Sequence, residues 1–126
     1  MKRLCVIDDD YIYIFSIKKL LSIYGYKEHL LVFNNGEEAI SNLTSMASTD
    51  EMPDVIILDI SMPVMDGWDF LHEYEKIKDK LIKDVKIYIV SSSLLIEDIN
   101  RSKEYEYVAD YIKKPISYED LKRMLD

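Results

Sequence analysis

Short runs of apolar residues recur along the chain, and each run ends abruptly at polar or charged positions. The runs do not alternate between apolar and polar residues, which is typical of strands that are buried on both faces of a parallel sheet. The runs comprise residues 4–7, 29–33, 55–58 and 87–90, with a weaker run at 108–112. This pattern predicts five strands.

The segments between these runs show helical spacing. Ile14, Ile17, Leu21 and Tyr24 define one face of a helix, and Gly25 directly afterwards is a typical C-terminal stop. Further helices are predicted over residues 36–47, 66–80 and 96–105 and after residue 117, with Asn35 and Ser117 as N-caps. Because strand and helix alternate five times, we expect an α/β fold in which helices cover both faces of a parallel sheet.

Composition narrows the class of protein. A chain of 126 residues has room for one domain, and 48% hydrophobic residues are sufficient for a core. The formal net charge of −8 argues against direct binding to nucleic acid, which requires clustered lysines and arginines. The single cysteine, Cys5, excludes an internal disulfide. Since no apolar stretch is long enough for a signal peptide or a membrane span, we expect a cytoplasmic protein that does not bind membranes.

The candidate chemistry lies where the predicted strands end. The first strand is followed by Asp8 and Asp9, the third by Asp59, the fourth by Ser91 and the fifth by Lys114. Because the carboxyl ends of parallel strands meet at one edge of a sheet, we expect these side chains to converge. Carboxylates that repel each other favour a hard cation such as Mg²⁺. An aspartate can also accept a phosphoryl group, whose charge a metal, a lysine and a hydroxyl would stabilise.

Four sequence motifs at the strand ends resemble the receiver domain of two-component response regulators, over essentially the whole chain. Each motif alone would be weak, but all of them occur in order. They are residues 4–10 (LCVIDDD), 56–67 (IILDISMPVMDG), 89–92 (IVSS) and 111–115 (YIKKP), of which the second is the most specific. The resemblance implies a single receiver domain over residues 1–126, similar to the chemotaxis regulators. It also implies a doubly wound, flavodoxin-like (βα)5 fold with strand order 2-1-3-4-5.

The resemblance further implies roles for the residues that would receive and bind a phosphoryl group. Asp59 would be the phosphoacceptor, and Lys114 would pair with a phosphoryl oxygen. Asp8, Asp9 and Asp59 would hold Mg²⁺ together with the main-chain carbonyl of Ser61. In this family the phosphoryl donor is a phosphohistidine on a sensor histidine kinase or on a histidine phosphotransfer protein.

Other matching residues would transmit the signal. Ser91 takes the position of the switch hydroxyl, where threonine is commoner, and Tyr111 takes the position of the aromatic switch on the output face. Pro115 would follow a cis peptide bond. The pair Tyr107-Val108 replaces two small residues that usually precede the fifth strand, which leaves the identity of the output protein open. Since the chain ends one helix after Lys114, we expect a stand-alone receiver that acts by docking to another protein or as a relay between phosphotransfer partners in a phosphorelay.

Two alternative functions remain open at this point. The chain could be a degenerate receiver that binds a partner without being phosphorylated, although all site residues are present. It could instead be a phosphatase with an aspartyl nucleophile, similar to haloacid dehalogenases. Those enzymes have a second aspartate two residues after the nucleophile, where this chain has Ser61. We therefore expect a signalling protein that supports only its own phosphorylation and dephosphorylation, and not an enzyme.

Overall fold

The computed structural model describes residues 1–126, and strands and helices alternate along the whole chain as predicted. A single 3₁₀ turn over Lys78–Lys80 extends the third helix. In chain order the elements are β1 (Leu4–Ile7), α1 (Tyr11–Tyr24), β2 (Leu31–Phe33), α2 (Gly36–Ser45), β3 (Val55–Asp59), α3 (Gly67–Ile77), β4 (Lys86–Ser91), α4 (Ile96–Ser102), β5 (Val108–Lys113) and α5 (Tyr118–Leu125). None of the helices has the length and apolar character required to cross a membrane.

The strands form one parallel sheet in the order β2-β1-β3-β4-β5, which confirms the expected fold class and strand order. The register pairs Ile7 of β1 with Leu58 of β3, and Asp59 of β3 with Val90 of β4. The strands β1, β3 and β4 therefore end at nearly the same level. This alignment brings the residues that follow them to one edge of the sheet.

The sheet separates two apolar cores, because successive side chains of a strand point to opposite faces. Cys5 and Ile7 of β1 face the core beneath α2 and α3, whereas Leu4 and Val6 face the core beneath α1 and α5. The largest fully buried side chains are distributed over both cores and include Phe70, Leu43, Ile56, Leu58, Ile17 and Ile57. Burial of each such side chain contributes about 1.5–3 kcal/mol, so both faces of the sheet stabilise the positions of the strand ends.

Burial differs between the central and the edge strands. Every residue of β1 and β3 is buried, as the apolar runs predicted. No residue of β5 is fully buried, and only Phe33 of β2 is. The expectation of strands buried on both faces is therefore wrong for β2 and β5, because each lies at an edge of the sheet and has only one strand neighbour.

The helix ends follow the predicted capping chemistry. The side chain of Asn35 accepts a hydrogen bond from the Glu38 N–H, and Ser117 forms a capping box with Asp120. Gly25 ends α1 in the left-handed conformation, at φ 85°, which glycine adopts without steric cost. The boundaries predicted for α2 and α3 differ from the observed ones by at most three residues.

Helix α4 is shorter than predicted and ends at Ser102 instead of residue 105. Ser102 Oγ donates a hydrogen bond to the Ile99 carbonyl at 2.6 Å, and the chain then leaves the helix. Tyr105 is thereby free to stack on Trp68 of α3, at 6.4 Å between ring centroids. The Arg101 guanidinium lies 4.4 Å from the centre of the Trp68 ring. These aromatic contacts attach the end of α4 to α3, and they compete with continuation of the helix.

Candidate functional site

The turn between β1 and α1 positions two of the predicted carboxylates. Asp8 is fully buried, and its Oδ1 accepts a hydrogen bond from the Asp10 N–H at 2.9 Å. Asp9 is exposed beside it. Asp10, for which the resemblance implied no role, is the N-cap of α1: its Oδ1 accepts from the N–H groups of Ile12 and Tyr13 at 3.0 and 3.3 Å. The run of three aspartates thus combines a buried group, an exposed group and a helix cap.

The turn between β3 and α3 positions Asp59, which is almost completely buried at the end of β3. Its Oδ1 accepts a hydrogen bond from the Ser61 N–H at 3.3 Å. The loop after β3 returns close to the end of that strand. A Cβ on Gly67 would lie 2.8 Å from the Asp59 carbonyl oxygen and from the Ile60 Cα. Within the loop, Val64 has a φ of 68°, a left-handed conformation that β-branched residues rarely adopt. The Asp59 side chain is therefore supported by a tightly folded and locally strained segment.

Lys114 connects the two acidic turns. Its Nζ lies 2.8 Å from Asp8 Oδ2 and 3.4 Å from Asp59 Oδ1. Its main-chain N–H donates to the Ser91 carbonyl at 2.8 Å, and the peptide bond to Pro115 is cis. The structure thus brings together the side chains of Asp8, Asp59 and Lys114 at the ends of β1, β3 and β5, as the sequence predicted, and the main chain of Lys114 is hydrogen-bonded to the end of β4.

Charge and burial shift the pKa values of Asp59 and Lys114, which lie at the centre of the site. Burial, with a further contribution from the negative charge of Asp8, raises the pKa of Asp59 to about 6. Burial alone would lower the pKa of Lys114, but its contacts with Asp8 and Asp59 outweigh burial, and the pKa is raised. One ammonium thus faces two carboxylates, with a third carboxylate nearby. The local excess of negative charge favours an additional cation.

The donor set fits Mg²⁺. One carboxylate oxygen from each of Asp8, Asp9 and Asp59 can be chosen so that all three lie within 4.8 Å of one another. Asp8 Oδ2 is buried and accepts no hydrogen bond, and it lies 2.8 Å from the Lys114 Nζ. Carboxylate oxygens are the ligands that hard divalent cations prefer, and the exposed side at Asp9 leaves room for water ligands. Ser61, whose main-chain carbonyl the resemblance assigns as a further ligand, lies two residues after Asp59 and donates its N–H to Asp59 Oδ1 at 3.3 Å.

The predicted switch residues lie next to the acidic site. Ser91 is buried at the end of β4, and its Oγ accepts a hydrogen bond from the Ser93 N–H at 3.3 Å. Tyr111 is half-buried on the edge strand β5. Its hydroxyl lies beside Ser91 but is buried without a hydrogen bond, and burial raises its pKa. The two hydroxyls are therefore neighbours that a change at the site could rearrange.

The sequence-based prediction missed two residues at this edge. Asp10 could have been identified, because an aspartate directly before an apolar helix is a typical N-cap. Tyr13 could not have been, because it lies in the first turn of α1 and approaches Lys114 only through the tertiary fold. The Lys114 Nζ lies 4.4 Å from the centre of the Tyr13 ring.

A surface cavity lies away from the acidic site. It has a volume of about 660 Å³ and is lined by residues of α3, the start of β4 and the segment before β5, among them Tyr74, Lys83 and Tyr107. None of the acidic site residues lines it. The site at the carboxyl edge is lined by carboxylates and one ammonium and not by apolar side chains, which agrees with a small, highly charged ligand.

Comparisons with known proteins identify the family. The family model described as response regulator receiver domain matches residues 4–126. Among curated proteins, the probable transcriptional regulator ycf27 of Guillardia theta is 34% identical over 125 residues, which make up 95% of this chain and 42% of that protein. The chain thus spans less than half the length of this relative.

Solved structures agree with the observed fold. A two-component response regulator from Cytophaga hutchinsonii has a TM-score of 0.89 and 24% identity, with 98% of this chain and 92% of that chain covered. The receiver domain of a sensor histidine kinase from Pseudomonas aeruginosa PAO1, which has a magnesium ion coordinated in its active-site cleft, has a TM-score of 0.76 and 21% identity. The match covers 98% of this chain and 93% of that chain. At these identities the likeness is one of fold.

Proposed function

The chain belongs to the response regulator receiver family of two-component signalling systems, and we propose that its Asp59 accepts a phosphoryl group from a histidine kinase or a histidine phosphotransfer protein. In this proposal residues 1–126 form one receiver domain. The observation that carries the proposal is the convergence of three carboxylates and one ammonium on the carboxyl edge of the sheet. A receiver is a signalling module, and its chemistry is limited to gaining and losing this phosphoryl group.

The free oxygen of Asp59 is the candidate nucleophile. Oδ1 is engaged by the Ser61 N–H and lies near Lys114, which leaves Oδ2 to attack phosphorus. In the transfer a P–O bond to Asp59 forms, the P–N bond of the phosphohistidine breaks, and the electron pair returns to the imidazole nitrogen. For dephosphorylation, water attacks phosphorus and the bond to Asp59 breaks, which releases inorganic phosphate.

The surrounding residues stabilise the charge of the transferred group. Asp8, Asp9 and Asp59 would hold Mg²⁺, with the Ser61 carbonyl as a further ligand, and the bound ion would neutralise charge on the phosphoryl oxygens. The magnesium site in the Pseudomonas receiver supports this assignment. Lys114 exchanges its contact with Asp59 for a phosphoryl oxygen.

A conformational response would start at the switch hydroxyls. Ser91 is buried one strand away from Asp59, and its Oγ can turn from the Ser93 N–H towards a phosphoryl oxygen. Its movement changes the space beside the Tyr111 hydroxyl, which has no hydrogen bond to hold it in place. Phosphorylation would therefore shift the population between two arrangements of β4, α4 and β5, which an output protein distinguishes. Since the formal net charge of the chain is −8, we propose that this face docks to a protein and not to nucleic acid.

The proposal is tested by intact-mass measurement after incubation with acetyl phosphate and Mg²⁺. Wild type is expected to gain the mass of one phosphoryl group and Asp59→Asn none. Asp50→Asn, which removes an exposed carboxylate in the loop before β3, is the matched control and is expected to gain the same mass as wild type. Equal mass gain in wild type and Asp59→Asn would contradict the assignment. Absence of both mass gain and Mg²⁺ binding would favour the phosphorylation-independent alternative.

A further inference from the structure

The aromatic ring of Tyr13 lies directly against the charged group of Lys114. The distance from Nζ to the ring centre is 4.4 Å, well within the range of a cation–π contact. The same ammonium lies 2.8 Å from Asp8 and 3.4 Å from Asp59. It is therefore enclosed by two carboxylates and one aromatic face.

Tyr13 is fixed in this position by its own surroundings. Its side chain is 6% exposed and packs in the core beneath α1 and α5, which includes Ile116 and Leu121. Its main-chain N–H donates to the Asp10 cap at 3.3 Å, and its carbonyl accepts from Ser16 Oγ at 2.7 Å. The ring is thus a rigid wall of the site.

The hydroxyl of Tyr13 does not explain the placement of this residue. It is buried and has no hydrogen-bond partner, which is an unfavourable state for a polar group. Burial, followed by the charges of Asp8 and Asp59, raises its pKa, so the group stays neutral. The part of Tyr13 that makes a favourable polar contact is its ring face.

We propose that Tyr13 is a positioning residue whose ring face holds the Lys114 ammonium between Asp8 and Asp59, ready for an incoming phosphoryl oxygen. A lysine side chain is flexible and has three N–H donors, so two carboxylates alone leave one side of the ammonium unconstrained. The ring closes that side without offering a competing hydrogen-bond acceptor. This inference rests on the proposed function, because Lys114 has a phosphoryl group to bind only in a phosphorylated receiver.

Two substitutions separate the ring from the hydroxyl. Tyr13→Phe keeps the ring and is expected to be phosphorylated by acetyl phosphate at the wild-type rate. Tyr13→Leu keeps an apolar side chain without a ring, and its rate is expected to fall about tenfold, the order of effect of a desolvated cation–π contact. Tyr13→Met, which fills the space with a flexible chain, is the second variant without a ring and is expected to behave as Tyr13→Leu. Urea unfolding of each variant reports whether the fold is retained.

A spectroscopic measurement tests the contact without any phosphoryl transfer. Protons on the Lys114 Cε that lie over an aromatic face shift upfield in the NMR spectrum, and the signal is assigned by its absence in Lys114→Met. The upfield shift is expected in wild type and Tyr13→Phe and is expected to be lost in Tyr13→Leu and Tyr13→Met. Because removing the ring also removes its ring current, the variants without a ring assign the shift to Tyr13, and the contact itself is tested by the shift in wild type and Tyr13→Phe.

The outcomes are distinct. Wild-type rates in the two variants without a ring would overturn the proposal, as would a Tyr13→Phe rate as low as that of Tyr13→Leu, which would assign the role to the hydroxyl. If wild type gains no phosphoryl group, the proposed function fails. The upfield shift then decides whether the ring contacts Lys114: its presence in wild type and Tyr13→Phe supports the contact, and its absence overturns the proposal.

Discussion

The turns after β1 and after β3 both deliver a buried carboxylate to the same site, but they are stabilised in different ways. In the first turn, side-chain oxygens of Asp8 and Asp10 accept hydrogen bonds from main-chain N–H groups of the turn and of the start of α1. In the second, the chain is shaped by the close approach of Gly67 to Asp59 and by the left-handed conformation of Val64. Both turns contain a hydrogen bond to the buried carboxylate, but the second turn depends in addition on close packing and backbone geometry.

Because of this difference, we expect the two turns to be sensitive to different kinds of substitution. A turn held by hydrogen bonds tolerates changes of volume and is damaged by loss of an acceptor. A turn held by close packing tolerates changes of polarity and is damaged by a single added methyl group. Phosphoryl transfer requires both carboxylates in place, so the site depends on both kinds of contact at once. Substitutions in each turn test the distinction.

The largest effect is expected from Gly67→Ala. The added Cβ would meet two main-chain atoms, the Asp59 carbonyl oxygen and the Ile60 Cα, at 2.8 Å, and the main chain cannot move aside as a flexible side chain can. The free energy of unfolding, measured in urea, is expected to fall by about 2–3 kcal/mol. Gly36→Ala is the matched control, because its Cβ would meet only side-chain atoms of Met65. An equal loss in both variants would show that close packing at Gly67 is not special.

An intermediate effect is expected from Asp10→Ala, which removes the N-cap of α1. The N–H groups of Ile12 and Tyr13 lose their acceptor, and the free energy of unfolding is expected to fall by about 1 kcal/mol. Asp10→Asn retains a capping oxygen and is expected to keep nearly all of the stability. If both variants lost the same amount, the charge of Asp10 and not its hydrogen bonds would stabilise the turn.

The smallest effect, and one of opposite sign, is expected from Val64→Asn. Val64 is 83% exposed, so the change removes little packing, and asparagine adopts positive φ more readily than a β-branched residue. The free energy of unfolding is expected to rise by about 0.5–1 kcal/mol. Val64→Thr keeps the β-branch and is expected to leave stability unchanged. A gain in Val64→Thr as large as that in Val64→Asn would point to side-chain polarity instead of backbone strain.

The features that the sequence predicted correctly are those encoded locally. Apolar runs located the strands, and Asn35, Ser117 and Gly25 marked helix ends because capping depends on one side chain and the adjacent main chain. The convergence of Asp8 and Asp59 could also be predicted, since parallel strands in register bring their carboxyl ends together.

The features that the sequence did not reveal depend on tertiary neighbours. The partial exposure of β5 follows from its edge position, and the early end of α4 follows from the stacking of Tyr105 on Trp68. The left-handed φ of Val64 contradicts its intrinsic preference and is imposed by closure of the loop. The approach of Tyr13 to Lys114 joins residues from opposite ends of the chain, and no local pattern encodes it.

The packing of Trp68 of α3 against the end of α4 gives the protein an internal optical probe. It is the only tryptophan of the chain, and one guanidinium and one phenol ring border its indole. Fluorescence excited at the red edge of indole absorption therefore originates from one location, next to the end of α4. Displacement of Arg101 or Tyr105 changes the wavelength and intensity of that emission, so events on this face of the domain can be followed without a dye.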